Sequence, residues 1–316
     1  MKLTRTTKAT TAFLSIVASI WLAAGCQLGT PEVANAAAPA PVEAPPHDPL
    51  TLPNDPKSLK LAVIGDSGTG GSAQYRVSEA MAFYQTLFEY EAVLMAGDNM
   101  YGSEDPSDYA KKFEAPYKLL LDRGVKFYAA LGNHDQPDQR FYKPFNLGGE
   151  RYHTLKLADP VRLYVLDSTY LDPEQVTWLK KELEGSDSPW KIALFHHPLY
   201  SAAKRHGSDM VIRQTLEPLF TANGVDVVFA GHDHVYERTK PQRGITHFVI
   251  GNSAKLRKGD LRRDASTAAG FDSGYGFMLV EILDDQMYFQ AISDQYKTID
   301  SGSIHERSSA AKVTSG

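Results

Sequence analysis

Five short stretches of the chain carry side chains of the types that bind metal ions. They are Asp66 in GDSG, Asp98 and Tyr101 in GDNMYG, Asn133 and His134 in GNHD, His196 and His197 in FHHP, and His232 and His234 in GHDH. Carboxylates, an amide oxygen and imidazoles are the ligands suited to Fe, Mn, Zn and similar ions. Each stretch alone has a plainer reading. GDSG reads as a turn in which Asp66 bonds its own backbone and Gly68 supplies the positive φ. His232 and His234, two apart on a strand, share a face without binding anything. Together the stretches offer too many ligands for one tetrahedral ion, and they suit two ions that share a bridging carboxylate. Two ions about 3.5–4 Å apart clamp the attacking and leaving oxygens of phosphoryl hydrolysis.

The elements before these stretches predict how they meet. LKLAVIGD (59–66), AVLMAGD (92–98), VKFYAALGNHD (125–135), WKIALFHH (190–197) and VDVVFAGHDH (225–234) read as buried strands. Helix-period segments separate them. SAQYRVSEAMAFYQTLFEY starts at a Ser72 cap, and SDYAKKFEAPYKLL breaks near Pro116. DPEQVTWLKKEL has Asp172 as cap and Pro173 in the first turn, and SDMVIRQTLEPLF follows later. RYHTLKL and VRLYVLDS read as a hairpin, and THFVIGNSA, YGFMLVEIL and QMYFQAI as three further strands. The alternation followed by a run of strands predicts one layered α/β (α+β) domain over 59–300, with a mixed sheet or two sheets. In open α/β sheets, ligand sites gather outside the carboxyl ends of strands. The five stretches would share such a crevice.

Composition bounds the rest. The 316 residues are 42% hydrophobic, enough for a sizeable core. The formal charge of -5, with no dominant basic run, makes nucleic acid an unexpected partner. Lys2, Arg5 and Lys8 precede a short apolar run that ends in LAAGC, which contains the only cysteine. A basic start, a short apolar stretch and small residues at the cut describe an export signal over 1–25. The cysteine at the cut resembles a bacterial lipoprotein signal, with lipid on Cys26. The expectation is an exported protein anchored in the cell envelope, at the outer membrane or the periplasmic face, with no disulfide. Residues 26–58, rich in Ala and Pro, read as an extended tether, and 301–316 as a polar tail.

The five stretches in order resemble the GDxG, GDxxY, GNH, xxxH and GHxH signature of the calcineurin-like metallophosphoesterases, and within them the purple acid phosphatases. GNHD, with HHPLYSAAKRHG downstream, is most similar to the small tartrate-resistant type. The resemblance implies a four-layer sandwich, with two facing mixed β-sheets flanked by helices. It also implies an acid phosphatase that hydrolyses phosphate monoesters through attack by a metal-bound hydroxide. Carried over by position, Asp66, Asp98, Tyr101 and His234 would hold one ion, Fe(III). Asp98 as bridge, Asn133, His196 and His232 would hold the second, which would be Fe, Zn or Mn. His134 would face the substrate phosphate, and His206 in AKRHG would protonate the leaving group.

A metallophosphodiesterase or cyclic-nucleotide phosphodiesterase is the nearest alternative, but such relatives generally lack a tyrosine three residues after the second aspartate. A lipid-anchored phosphate- or metal-binding surface protein is the non-enzyme alternative. The partners expected are a small phosphate ester and, through Cys26, the membrane; no protein partner is expected. Asp135 and Asp233 are expected to orient neighbouring histidines. His197 and Tyr200 are candidates to line the pocket, and His153 and His247 read as structural. Nothing in the chain supplies a phosphate-cradling P-loop, because GDSGTGG lacks its lysine.

Overall fold

Successive residues of β1 (Leu59–Ile64) point into two different cores. Ala62 and Ile64 face one side, and Leu61 and Val63 face the other. A strand covered on both faces has no polar face to show, which is why these segments read as continuous apolar runs. The computed structural model describes residues 44–307. The export signal, Cys26, the start of the tether and the end of the tail lie outside the described residues.

After β1 come α1 (Ser72–Phe88), β2 (Ala92–Met95), α2 (Pro106–Tyr109), α3 (Lys118–Asp122) and β3 (Lys126–Ala129). The hairpin of β4 (His153–Ala158) and β5 (Val161–Val165) leads into α4 (Pro173–Glu184), β6 (Trp190–Leu194), α5 (Met210–Ala222) and β7 (Val227–Ala230). The remaining strands are β8 (Tyr236–Thr239), β9 (Thr246–Ile250), β10 (Thr267–Phe271), β11 (Gly276–Leu283), β12 (Gln286–Ser293) and β13 (Thr298–His305).

Two mixed sheets result. One runs β13-β12-β11-β1-β2-β3, with β1, β2 and β3 parallel; the other runs β10-β8-β9-β7-β6-β5-β4, with β5, β6, β7 and β9 parallel. Leu61, Val63 and Leu94 of the first sheet pack with Ile192, Leu194, Val227 and Phe229 of the second in a dry core between them. Outside the first sheet, Val77, Met81 and Phe88 of α1 cover Ala62, Ile64 and Met95. Outside the second, Leu179 and Leu183 of α4 and Leu216 and Phe220 of α5 cover Ala193, Phe195 and Val228. This is the expected order of layers: helix, sheet, sheet, helix. Fully burying each such side chain is worth about 1.5–3 kcal/mol.

Local details depart from the sequence reading. Ser72 is the first helical residue of α1 and Gly71 is its N-cap, with no side-chain cap bond. Asp172 does cap α4, its side chain accepting from the Gln175 amide. Between α2 and α3 the chain makes a π-helical turn over Ala110–Glu114. The short strands β8 and β10 and the edge strand β13 are additional to those expected. β13 reaches His305, so the sheet extends past residue 300 into the supposed tail.

The supposed tether is docked over its last part. The Asp48 amide donates to Tyr296 O, Asp48 Oδ2 accepts from the Thr298 amide, and the Asn54 and Asp55 amides donate to the Glu281 carboxylate. The His47 ring packs against Phe83 of α1. Ala and Pro say little about burial, but Asp48, Leu52 and Asn54 supply what a free tether lacks.

Candidate metal centre

The turns that leave β1, β2 and β7 are strained. Asp66, Asp98 and His232, the residues expected to bind metal there, have φ of 54°, 51° and 70°. Non-glycine residues rarely adopt this left-handed conformation, which costs about 1–3 kcal/mol each and persists where the surroundings over-determine it. Gly68, expected to supply the positive φ of its turn, does not; Asp66 does. Gly68 is there for closeness, because a Cβ on it would sit 1.8 Å from Asn99 O. Gly132 lies against the site itself, since a Cβ would sit 2.3 Å from Asp98 Oδ1.

The seven candidate ligands converge as two triangles. In the first, Tyr101 Oη is 2.9 Å from Asp66 Oδ1 and 3.4 Å from His234 Nε2, and the last two are 3.3 Å apart. In the second, Asn133 Oδ1 is 3.0 Å from His196 Nε2 and 2.9 Å from His232 Nδ1, and the two imidazole nitrogens are 3.2 Å apart. Asp98 stands between them. Its Oδ1 is 3.3 Å from His196 Nε2, and its ligand atom, with those of Asp66 and His196, falls within a 4.8 Å group.

The second triangle tests whether a cation fits. His196 Nδ1 lies 2.9 Å from the carbonyl oxygen of Ala96, so Nδ1 carries the hydrogen and Nε2 presents a bare lone pair. That lone pair meets the oxygens of Asn133 and Asp98 at contact distance. Lone pairs so placed repel unless a cation lies among them, and imidazole, amide and carboxylate are the donors that transition ions take. The residues fit the group.

Electrostatics agree. Burial, reinforced by Asp98, raises Asp66 well above the usual carboxylate range. Burial opposes ionisation of Asp98 as well, but His196 and the His134 amide hold it below its ordinary value. Burial and the neighbouring histidines push His232 down to about 2; burial, Arg257 and Lys255 push His234 down to about 3. Burial, then Asp66 and Asp98, drives the Tyr101 phenol far above its ordinary value. Asp66 and Tyr101 resisting ionisation beside histidines resisting protonation describe a site that lacks positive charge at its centre.

The two histidines expected to act on substrate flank the cleft. His134 is exposed, its ring 4.8 Å from that of Tyr101, and its amide donates to Asp98 Oδ1 at 3.0 Å. His206 is exposed, its ring 4.4 Å from that of His232. Burial, then Arg257 and Arg205, holds the His206 pKa below the ordinary value. A cavity of about 430 Å³, lined by residues 205–210 and His232, opens beside it.

Asp135 and Asp233 do not orient histidine rings. Asp135 accepts from the Gly132, Asn99 and Met100 amides and from the Gln139 and Asn99 side chains, tying the loop after β3 to the loop after β2. Asp233 Oδ2 accepts from Ser201 Oγ at 2.7 Å and from the Gly207 amide at 3.2 Å, so it latches the loop that carries His206. Lys112, which sequence reasoning passed over, is buried on the π turn and donates to the carbonyls of Tyr101 and Ser103 at 2.8 and 2.6 Å. Nothing in its sequence context marks it. Lys255 Nζ lies 4.3 Å from the centroid of the Tyr101 ring, and Arg257 has a buried Nη1 with no partner, so cations line this side of the cleft.

Residues 59–236 match the family profile of the calcineurin-like phosphoesterases. The chain is 24% identical over 301 residues to tartrate-resistant acid phosphatase type 5 of Rattus norvegicus, covering 79% of this chain and 91% of that protein. It is 30% identical over 229 residues to Fe(3+)-Zn(2+) purple acid phosphatase 12 of Arabidopsis thaliana, covering 64% of this chain and 47% of that one. The chain spans about half the length of the Arabidopsis relatives it matches. Among solved structures, purple acid phosphatase PPD1 from yellow lupin (Lupinus luteus) seeds has the same fold. Its TM-score is 0.64 at 19% identity, covering 80% of this chain and 55% of that one.

Proposed function

The chain belongs to the calcineurin-like phosphoesterase family, and we propose that it is a dinuclear metal-dependent hydrolase of phosphate monoesters, of the purple acid phosphatase type. The observation that carries this reading is the phenol of Tyr101, placed in one triangle with Asp66 and His234. Asp66, Tyr101 and His234 would hold one ion, a ferric iron. Asn133, His196 and His232 would hold Fe, Zn or Mn, with Asp98 shared between the two. Bound there, the cations would supply Lewis-acid activation of water and neutralise phosphoryl oxygens.

The chain's own groups supply the rest. His134, exposed beside Tyr101, faces the position of the substrate phosphate. His206, at the mouth of the cavity beside His232, donates a proton to the departing oxygen. Lys255, Arg257 and Arg205 add positive potential that favours an anionic ester. The relatives named as acid phosphatases support the same reaction class. The lipoprotein reading is part of the proposal: lipid on Cys26 would hold the enzyme at the cell envelope.

The test is metal analysis of purified protein, together with rates on an aryl phosphate and a bis-aryl phosphate across pH. Two ions per chain and a preference for the monoester are expected. Preference for the diester would move the enzyme to the phosphodiesterase class.

A further inference from the structure

His197 stands beside the two triangles, and one serine sets where its proton sits. The ring nitrogens of His196, His197 and His232 can be grouped within 4.8 Å, which on distance alone invites a cation. Ser168, buried just beyond β5, argues against it. Its Oγ lies 3.2 Å from the His196 amide nitrogen, 3.0 Å from the His197 amide nitrogen and 2.9 Å from His197 Nδ1. A hydroxyl has two lone pairs and one hydrogen. The two amides take both lone pairs, so the hydroxyl hydrogen goes to His197 Nδ1. An imidazole that accepts at Nδ1 carries its own proton on Nε2. Neither nitrogen is then free to ligate an ion.

The Nε2 hydrogen is committed to nothing: among the described residues no hydrogen bond uses it. The ring is only partly buried, 5.0 Å from the His196 ring and 4.4 Å from that of His232, which also lies 4.4 Å from the ring of His206. A fixed donor at the lip of an anion-binding cleft has an evident use. We propose that His197 Nε2–H is an oxyanion donor, hydrogen-bonding a non-bridging oxygen of a tetrahedral phosphate held over the second triangle, and that Ser168 is the residue that positions it. This inference rests on the hydrolase reading above for the identity of the anion.

The test uses zinc-loaded protein with inorganic phosphate as the probe, and it combines calorimetric binding, metal analysis and nitrogen-15 spectra of the His197 ring. Wild type should show the Nε2–H tautomer. His197→Ala should bind phosphate on the order of tenfold more weakly, the usual scale for a hydrogen bond to a charged group, with its zinc content unchanged. His197→Gln, which returns a donor near the same place, should recover part of the loss. Ser168→Ala should bind phosphate more weakly with the ring free to change tautomer. Loss of an ion from His197→Ala would make the residue a ligand and overturn the proposal. Unchanged phosphate affinity in that variant would also overturn it, and if wild type still hydrolyses aryl phosphate the hydrolase reading survives. A wild type that binds phosphate through His197 yet hydrolyses no ester would sink the hydrolase reading alone.

Discussion

The phenol of Tyr101 donates to Asp66 Oδ1 across 2.9 Å, joining the loop after β2 to the end of β1. Burial and two carboxylates resist loss of its proton, so a phenolate can exist there only against a strongly charged cation.

The iron-loaded protein should therefore absorb visible light through a tyrosinate–Fe(III) band. Tyr101→Phe should bleach the band and keep part of the phosphatase activity, as read by spectrum, metal analysis and rate on one sample. A colourless, iron-free wild type that is fully active with zinc or manganese would contradict the assignment.

The Asp233 latch makes a separate prediction about the His206 loop. Ser201→Ala removes the 2.7 Å bond to Asp233 while leaving every candidate ligand in place. Turnover on an aryl phosphate should fall several-fold, KM should change little and metal content should hold, at a stability cost of about 1 kcal/mol. Loss of metal with loss of rate would mean that the latch holds the ligands instead.

His247 predicts how stability depends on pH. It is fully buried in β9, neither ring nitrogen has a partner, and burial pushes its pKa down to about 3. The unfolded chain takes up a proton near the ordinary value and the folded chain does not. This contribution is present above about 6.5 and is lost as pH falls toward 3, at no more than about 1.4 kcal/mol per pH unit. His247→Phe keeps a ring against Tyr200 and removes the titration, so urea denaturation of the variant should show a flatter acid limb than wild type.

Anchoring is tested by fractionation. Cys26→Ala protein should leave the membrane fraction; a variant that stays there would contradict attachment through that cysteine.

Much of the site was legible because strands such as β1, β2 and β7 are buried on both faces. Their apolar runs stop abruptly at Asp66, Asp98 and His232, so the polar residues just past each strand stand out. The roles of Asp135 and Asp233 were not legible: an aspartate beside a histidine in sequence looks like its partner, whereas the turns after β3 and β7 aim these carboxylates at amides and side chains of other loops. Lys112 reads as an ordinary helix-surface lysine because sequence does not show that the π turn rolls it inward. β8 and β10 are short, and the edge strand β13 is polar, so neither length nor alternation announced them. Docking of residues 48–58 was hidden for a related reason, since it depends on Glu281 and on Gln290, which bonds the Thr51 amide, far along the chain.

The left-handed backbone at Asp66, Asp98 and His232 has a consequence for how the protein tolerates change. Glycine would sit more comfortably at each position, so a substitution that relaxes the backbone of the ion-free fold also strips the centre of a donor. Selection for thermal stability alone would therefore erode this centre first. Metal-loaded and metal-free protein should respond to the same substitution with shifts in melting temperature of opposite sign.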